Sequence, residues 1–288
     1  MARRLRVVVT GAAGQLGSEL VREFADYDLL ALDRAAVDVT DRDQVFGAIL
    51  SSQPDVVVHP AAWTDVDGCE LDPDRAYKVN ALGTRLVSQA AALAGAHIVY
   101  VSTDYVFDGT KADPYHEWDQ PNPLSVYGRS KLAGEREALE MAGPRACVVR
   151  TSWVCGRVGR NMVKTVLRLA SEAGPLRFVD DQRGCPTFAE DLAHKIRQLA
   201  VARVAGVVHV TNQGAVSWYE FARAVLEAAG QDPDRVEPIK TADLDPPRPA
   251  PRPANSVLRN FVLEQMGFGL LPEFGESLER LVVQLLAE

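Results

Sequence analysis

The chain has 288 residues, of which 31 are Lys or Arg and 39 are Asp or Glu, so its formal charge is −8. Hydrophobic residues make up 47% and charged residues 24%, which is ordinary for a globular protein and argues against disorder along the whole chain. The length fits one large domain with a smaller appended lobe. A net acidic chain argues against general binding to nucleic acid or anionic membranes, and we expect neither as a partner. A small anionic ligand stays compatible, because a local site can oppose the global charge.

The sequence contains no apolar stretch near the roughly 18–20 residues that a membrane span needs. Met1–Arg4 runs directly into an apolar strand pattern, whereas a signal peptide would need a longer apolar region and a cleavage site. The four cysteines form neither a C-x-x-C pair nor a zinc-finger spacing with histidine; they are Cys69, Cys147, Cys155 and Cys185. We expect a cytoplasmic protein with reduced thiols, with a disulfide between two of them as the open alternative.

Apolar, β-rich runs alternate with helical patterns through the first half of the chain. The strand candidates are Leu5–Thr10, Leu29–Leu32, Asp55–His59, His97–Ser102 and Ala146–Arg150. The helix candidates are Gln15–Ala25, Arg42–Ser51, Pro73–Leu93 and Tyr127–Ala142. This alternation predicts parallel β-α-β units with right-handed crossovers, and continuously apolar strands indicate helices on both faces. We therefore predict an α/β fold with a Rossmann-like, doubly wound parallel sheet and a smaller C-terminal α/β lobe.

The second half is less regular. Helical patterns occur at Met162–Ala173, Glu190–Ala202, Trp218–Ala229 and Glu276–Ala287, and a strand pattern at Val207–Val210. Alternate prolines mark residues 246–253, which must be extended and polyproline-like. This segment is either a stiff surface loop or a loop laid over a ligand.

A glycine-rich turn follows the first strand and opens the first helix. Its spacing is G-x-x-G-x-x-G, with Gly11, Gly14 and Gly17 around Gln15 and Leu16. Glycines let the backbone approach a pyrophosphate closely, and the helix N-terminus offers free N–H groups and a positive dipole end. The strand–turn–helix context favours a dinucleotide site over a simple packing turn.

Two charged residues end the second strand. Asp33 lies 22 residues after Gly11, where a carboxylate accepts hydrogen bonds from the ribose hydroxyls of NAD(H). Arg34 follows, and its guanidinium suits the 2′-phosphate of NADP(H). The sequence therefore does not decide between NADPH and NADH. The plain alternative is that Asp33 and Arg34 bind no cofactor and are only solvated residues at the end of a strand.

Tyr127 and Lys131 form a Y-x-x-x-K pair on a predicted helix, where positions i and i+4 share one face. A lysine ammonium there lowers the pKa of a phenol, which is about 10 in the free amino acid. Such a tyrosine protonates a carbonyl oxygen while hydride reaches the carbon. An exposed helix pair is the plain alternative.

Three polar residues accompany this pair. Ser102 and Thr103 end the fourth strand at the carboxyl edge of the sheet, where ligands bind in doubly wound folds. A hydroxyl from this edge would hold a substrate carbonyl beside Tyr127. Asn80 interrupts a helical pattern and would anchor a water or the active-site backbone, unless it lies on the helix surface.

Taken together, these motifs resemble the extended short-chain dehydrogenases/reductases and, more narrowly, the dTDP-4-dehydrorhamnose reductase family. The resemblance covers nearly the whole chain in order. Its most specific segments are Ser102–Gly109 and Asp181–Thr187 with its Gln-x-Gly-x-Pro-Thr pattern; the others are Ala61–Asp67, Arg150–Val154 and Arg252–Ser256.

The resemblance implies NADPH- or NADH-dependent reduction of the C4 ketone of a dTDP-4-keto-6-deoxysugar. It assigns catalysis to Thr103, Tyr127 and Lys131. It implies cofactor contacts for the glycine turn, for Ser102 and Asn80, and for Asp33, Arg34, Asp38, Val39, Ala61, Ala62, Thr64, Tyr127 and Lys131. The substrate contacts that we expect are Thr103, Asp104, Trp153, Asn161, Gln182, Pro186 and Thr187, with Arg248 or Arg252 facing the diphosphate.

The resemblance also bears on domains, metal and assembly. We expect an NAD(P)-binding domain from residues 1–150 with about 178–212, and a sugar-nucleotide lobe from about 151–177 and 213–288. Some family members bind Mg²⁺ through acidic residues at a dimer interface. Gln15 replaces one such acid here although Glu190 is kept, so we expect no metal. The chain would be a monomer or a homodimer.

Two departures and two alternatives remain. His59-Pro60 stands where the family usually has Asn-Ala or Cys-Ala, and Cys155 stands where an aromatic residue is common. One alternative is a sugar-nucleotide epimerase or dehydratase, although related dehydratases show Thr-Asp-Glu where this chain has Tyr105 after Asp104. The other is a non-catalytic, NAD(P)-binding regulatory subunit like the beta subunit of methionine adenosyltransferase, against which the intact Tyr127 and Lys131 argue.

Overall fold

Six parallel strands form the central sheet of the computed structural model, which describes residues 4–172 and 174–287. The strands are β1 (Arg6–Thr10), β2 (Asp28–Leu32), β3 (Val56–His59), β4 (His97–Thr103), β5 (Ala146–Thr151) and, later in the chain, β10 (Gly206–His209). Their spatial order is β2-β1-β3-β4-β5-β10, and every neighbouring pair is parallel. The order reverses at β1, so a crevice opens at the carboxyl ends of β1 and β3, where ligands bind in this architecture.

Helices cover both faces of this sheet. The helices of the described residues are α1 (Gln15–Glu23), α2 (Arg42–Ser52), α3 (Val66–Leu71), α4 (Pro73–Tyr77), α5 (Gly83–Leu93), α6 (Val126–Ala142), α7 (Met162–Ala170), α8 (Ala189–Val201), α9 (Trp218–Ala228), α10 (Phe261–Gln265) and α11 (Phe274–Leu286); of these, α7, α9 and α11 lie outside the sheet. Successive strand residues point to opposite faces: Val7 and Val9 pack with α1 and α8, whereas Val8 packs with α2 and α5. The strands are therefore apolar on both faces, and the predicted fold class is confirmed.

A separate apolar core lies outside the sheet, among α7, α9 and α11, around Phe178 and Phe221. Short strand pairs accompany it: β6 (Val154–Cys155) with β9 (Thr187–Phe188), β7 (Leu176–Val179) with β12 (Val236–Ile239), and β8 (Arg183–Gly184) with β11 (Val216–Ser217). Leu263 and Leu271, from the C-terminal third, pack instead in the core of the large sheet. The smaller lobe thus has its own core, whereas the segment that contains Leu263 and Leu271 packs in the core of the central sheet.

The predicted strands and most predicted helices recur with ends shifted by one or two residues. The pattern at Pro73–Leu93 is helical throughout but contains a π-helical turn at Lys78–Leu82, and the pattern at Met162–Ala173 ends as a helix at Ala170. Ala173 and the N-terminal Met1–Arg3 lie outside the described residues. The short strands of the lobe were not predicted, because two to four residues carry no periodicity.

All four cysteines are buried and unpaired, in agreement with the expectation of reduced thiols. No helix among the described residues is long and apolar enough to cross a membrane. The proline-rich segment of residues 246–253 has neither helix nor strand, in agreement with a loop, but it bends at Pro246, Pro249 and Ala250 and is not extended throughout as predicted.

Candidate active site

A cavity of about 530 Å³ opens at the carboxyl ends of the central strands; we call it the central cavity. Most of the residues that sequence analysis grouped from distant segments meet there. Those lining it include Gly11, Gly14, Gln15, Leu16, Gly17, Ala62, Thr64, Ser102, Thr103, Asp104, Tyr127, Lys131 and Trp153.

The glycine turn forms one wall. Gly11 has a φ of +59°, and a Cβ built on Gly17 would lie 2.0 Å from the Gly11 carbonyl oxygen. The residue that caps α1 is Gly14, in extended conformation and without a side chain to bind the N–H groups of the first turn. These N–H groups therefore remain available to an anion. The turn thus fits the pyrophosphate of a dinucleotide.

The end of β2 adjoins this turn, since the Ala12 N–H donates to the Leu32 carbonyl at 3.1 Å. Asp33 Oδ1 accepts hydrogen bonds from the Ala35 and Ala36 N–H groups at 2.9 Å, while Arg34 is exposed. Thr40 donates to Asp38 through its N–H and hydroxyl, which lowers the pKa of that carboxyl. Both charges predicted for the adenosine ribose lie next to the glycine turn.

Val39 and Asn80 do not line the central cavity. Val39 packs against α5, where a Cβ at Gly83 would be 3.1 Å from its Cγ2. Asn80 is fully buried in the π-helical turn; its Oδ1 accepts from the Trp63 N–H at 2.8 Å, and its Nδ2 donates to the Trp63 carbonyl and to Ser130 Oγ at 3.1 and 3.0 Å. Of its predicted alternatives, Asn80 anchors the active-site backbone, because these bonds hold the segment of Ala61, Ala62 and Thr64 against α6. The π-turn is what aims Asn80 inward, and such turns are frequent at functional sites.

Tyr127 and Lys131 lie one turn apart on α6, and both are buried and line the central cavity. Ser125 caps the helix by accepting from the Gly128 N–H at 3.1 Å. A Cβ at Gly128 would lie 2.2 Å from the Tyr105 carbonyl oxygen, so glycine brings α6 against the turn after β4. This contact sets Tyr127 beside Thr103.

The pKa of the Tyr127 phenol is raised, because burial disfavours the phenolate more than its hydrogen bond with Thr103 favours it. The predicted lowering of this pKa by Lys131 is wrong for the free protein, because the hydrogen bond with Thr103 is what favours the phenolate and it does not offset burial. Lys131 Nζ donates to the Val101 carbonyl at 2.7 Å and lies 4.3 Å from the centre of the Tyr100 ring. Burial lowers the pKa of Lys131 to about 7, although Glu135 opposes this.

Thr103 ends β4 beside Tyr127, and Asp104 follows it. Thr103 Oγ1 donates to Asp104 Oδ1 at 3.0 Å, and Ser152 Oγ donates to Asp104 Oδ2 at 3.0 Å. Burial raises the pKa of Asp104 to about 6. The carboxylate is thus held inside the site as an acceptor that fixes the Thr103 hydroxyl.

Glu135 and Arg150 complete the buried polar network, and sequence analysis assigned no role to either. Glu135 Oε1 accepts from Ser102 Oγ at 2.6 Å, and Arg150 donates to both Glu135 oxygens at 2.8 and 2.7 Å. The signal that was available is spacing: Glu135 follows Lys131 by four residues, as Lys131 follows Tyr127, so all three lie on one face.

The predicted substrate residues divide between two places. Trp153 lines the central cavity, whereas Gln182, Arg248 and Arg252 line an adjoining cleft of about 350 Å³, the outer cleft. The rings of Trp153 and Trp218 stack with centroids 3.4 Å apart. Since Trp218 lines the outer cleft, this stack forms the wall between the two spaces. In the sequence, Trp218 is marked only by the helical pattern at Trp218–Ala229.

Three of the predicted substrate residues, Asn161, Pro186 and Thr187, line neither space. The Thr187 N–H donates to the Trp153 carbonyl at 3.3 Å, and Pro186 beside it is buried. Asn161 caps α7 and donates to Gln15 Oε1 at 2.9 Å. Thr187 and Asn161 therefore support residues that line the central cavity.

The two departures from the family pattern are buried as well. His59 Nδ1 and the Thr10 hydroxyl share a hydrogen bond of 2.7 Å, and burial lowers the pKa of this imidazole to about 3, so it is neutral. Cys155 lies in the core of the smaller lobe. Within residues 4–172 and 174–287, no group of three His, Cys, Asp or Glu side chains is placed to hold a metal ion. Metal independence stays a prediction.

Comparisons with known proteins give one consistent result. The family model described as RmlD substrate binding domain matches residues 5–287. A dTDP-4-dehydrorhamnose reductase of Aggregatibacter actinomycetemcomitans is 42% identical over 281 residues, covering 93% of this chain and 94% of the relative. One of Mycobacterium tuberculosis is 46% identical over 264 residues, covering 89% and 85%.

Solved structures agree with these relatives. The structure of a dTDP-4-dehydrorhamnose reductase from Bacillus anthracis in complex with NADP superimposes with a TM-score of 0.93 at 38% identity. It covers 98% of this chain and 99% of its own.

Proposed function

The chain belongs to the RmlD substrate binding domain family, and from this premise we propose that it reduces the C4 ketone of a dTDP-4-keto-6-deoxyhexose. The product is dTDP-L-rhamnose or a close analogue, and the pathway is deoxysugar biosynthesis. The relatives named above carry the name of this reductase. The observation that carries the proposal is the meeting of Tyr127, Lys131 and the glycine turn in one cavity.

NADPH or NADH, when bound, supplies the hydride. The glycine turn fits its pyrophosphate, because Gly11 and Gly17 leave no room for a Cβ and the first turn of α1 presents backbone N–H groups. Asp33 and Arg34 would face the adenosine ribose, and Lys131 with the segment of Ala62 and Thr64 would hold the nicotinamide half.

Tyr127 is the proton donor in this mechanism. Its raised pKa keeps the phenol protonated in the free protein, which is the form needed to give a proton to the carbonyl oxygen at C4. The Thr103 hydroxyl donates to Asp104 in the free protein and would turn its proton to that oxygen when the substrate binds. Lys131 then stabilises the tyrosinate that proton transfer leaves behind, since an adjacent ammonium favours the charged phenolate.

The nucleotide half of the substrate would occupy the outer cleft. Gln182 and Trp218 line this space, and Arg248 and Arg252 supply positive charge for the diphosphate. The sugar would then reach past the Trp153–Trp218 stack to Tyr127. With this arrangement we propose the expected division of the chain into an NAD(P)-binding domain and a sugar-nucleotide lobe.

The test is direct turnover. Protein, NADPH or NADH, and each member of a small panel of dTDP-4-keto sugars are mixed; cofactor absorbance gives the rate, and product NMR gives the configuration at C4. We expect oxidation of the cofactor with at least one sugar. Absence of turnover with both cofactors and all sugars would contradict the proposal and favour the non-catalytic alternative.

We further propose a cytoplasmic monomer or homodimer that needs neither metal nor nucleic acid. Light scattering tests the assembly. Turnover after treatment with a chelator tests the metal, and we expect no loss.

A further inference from the structure

One carboxylate holds both arginines of the proline-rich segment. Asp67, on α3, accepts a hydrogen bond from Arg248 Nη1 at 3.3 Å, two from Arg252 at 2.6 and 2.8 Å, and one from the Ala250 N–H at 3.2 Å. These donors hold the pKa of Asp67 below its usual range. The loop of residues 246–253 is thus fastened to a helix about 180 residues earlier in the chain.

The two arginines are held differently. The Arg252 side chain is 9% exposed and binds Asp67 through both terminal nitrogens, and Nη1 also donates to the Ala250 carbonyl at 2.6 Å. The Arg248 side chain is 53% exposed and has one longer bond to Asp67. Buried two-pronged pairs are strong, whereas exposed single contacts are weak. Arg252 is therefore built into the loop, while Arg248 is free to exchange its partner.

Helix α3, which carries Asp67, also contacts α6, the helix of Tyr127 and Lys131. Glu70 Oε2, one turn further along α3, accepts from the Val126 N–H at 2.8 Å, directly before Tyr127. The arginine loop and the proton donor are thus held by the same short helix. Movement of this helix would shift the outer cleft relative to Tyr127.

We propose that Asp67 is a positioning residue with two effects. It holds Arg252, which fastens the loop, and it releases Arg248 to bind the diphosphate of the substrate. This inference rests on the proposed function and deepens it. In the free protein the Asp67 carboxylate binds Arg248 in place of the substrate diphosphate. When a nucleoside diphosphate enters the outer cleft, Arg248 leaves Asp67, which keeps its bonds from Arg252 and Ala250.

The experiment measures dTDP binding by calorimetry and backbone exchange of residues 246–255 by hydrogen–deuterium exchange. We expect Arg248→Ala to weaken dTDP binding about tenfold and to leave loop exchange at the wild-type rate. We expect Asp67→Asn and Arg252→Lys to weaken binding and to speed loop exchange, because each breaks the anchor. Arg223→Ala is the matched control, since Arg223 pairs with Asp234 at 2.8 Å outside both spaces, and it should change neither quantity.

Turnover separates the roles further: Arg248→Ala should raise KM for the sugar nucleotide with little change in kcat. Cofactor affinity, unchanged in each variant, would show that the fold is intact. Wild-type binding of dTDP by Arg248→Ala, or unchanged loop exchange in both anchor variants, would overturn the inference alone. A wild-type protein that does not bind dTDP would overturn the proposed function as well.

Discussion

Glu135 and Arg150 form a buried, two-pronged ion pair between α6 and β5, with distances of 2.8 and 2.7 Å. Glu135 also receives the Ser102 hydroxyl at 2.6 Å. Removal of one partner leaves a buried charge without compensation, so we predict that Glu135→Gln lowers the free energy of unfolding by about 3–5 kcal/mol. Urea denaturation measures this loss.

Glu137→Gln is the control for that substitution, because Glu137 lies on the same helix and pairs with Arg85 at the surface. It should cost about 0–1 kcal/mol. If the free energy of unfolding falls equally in the two variants, the buried pair stabilises the protein no more than the surface pair does.

Tyr127→Phe should abolish proton donation while leaving the shape of the central cavity unchanged. General acid catalysis contributes about 10²–10⁴-fold, and we predict a loss of kcat in this range. The dissociation constant of NADPH should stay within about twofold of wild type, since the ring remains and only the hydroxyl is lost. Stopped-flow turnover and cofactor fluorescence give the two values; a variant with near-normal kcat would exclude Tyr127 as the donor.

Lys131 makes the stability of the free protein depend on pH. Its pKa falls from 10.5 in the unfolded chain to about 7 in the folded protein, so between these values the unfolded state binds more protons. The Lys131 contribution to the free energy of unfolding should therefore rise with pH in this window, by up to about 1.4 kcal/mol per unit. Above about pH 9 the buried cysteines, whose pKa burial raises, act in the opposite direction, so the net rise is expected between about pH 7 and 9. Lys131→Met should remove this rise. Chemical denaturation of both proteins across the window tests it, and parallel curves would contradict the lowered pKa.

Gly17 and Gly47 predict opposite effects of the same substitution. A Cβ at Gly17 would meet the Gly11 carbonyl at 2.0 Å, whereas a Cβ at Gly47 would have no described atom within 4 Å apart from its chain neighbours and the backbone of its own helix. Gly17→Ala should distort the glycine turn and weaken NADPH binding at least about tenfold. Gly47→Ala lies within a helix and should stabilise the protein by up to about 1 kcal/mol. Normal cofactor affinity in Gly17→Ala would count against this turn as the pyrophosphate site.

Asp33 and Arg34 predict the choice of cofactor. Arg34 is exposed and follows β2. Since we propose that its guanidinium faces the 2′-phosphate, Arg34→Ala should raise KM for NADPH about tenfold and leave KM for NADH unchanged. Asp33→Asn should raise KM for NADH more than KM for NADPH, since a ribose hydroxyl loses a charged acceptor. Identical changes for both cofactors would mean that neither residue contacts the 2′ position.

The sequence by itself determined the sheet and the local part of the site. The apolar runs of the central strands, the glycine turn and the i,i+4 pair Tyr127 and Lys131 are local patterns, whose form follows from backbone geometry and side-chain spacing. Ser102 and Thr103 were located at the correct edge, because the carboxyl ends of parallel strands meet on one side.

Only the tertiary structure decided the partners that lie far apart in the chain. Glu135 meets Arg150, Asp67 meets Arg252 and Trp153 stacks on Trp218 through the packing of separate elements. The raised pKa of Tyr127 and the lowered pKa of Lys131 also come from burial, which depends on every element around them. Burial and long-range pairing are properties of the assembled fold, and no local spacing encodes them.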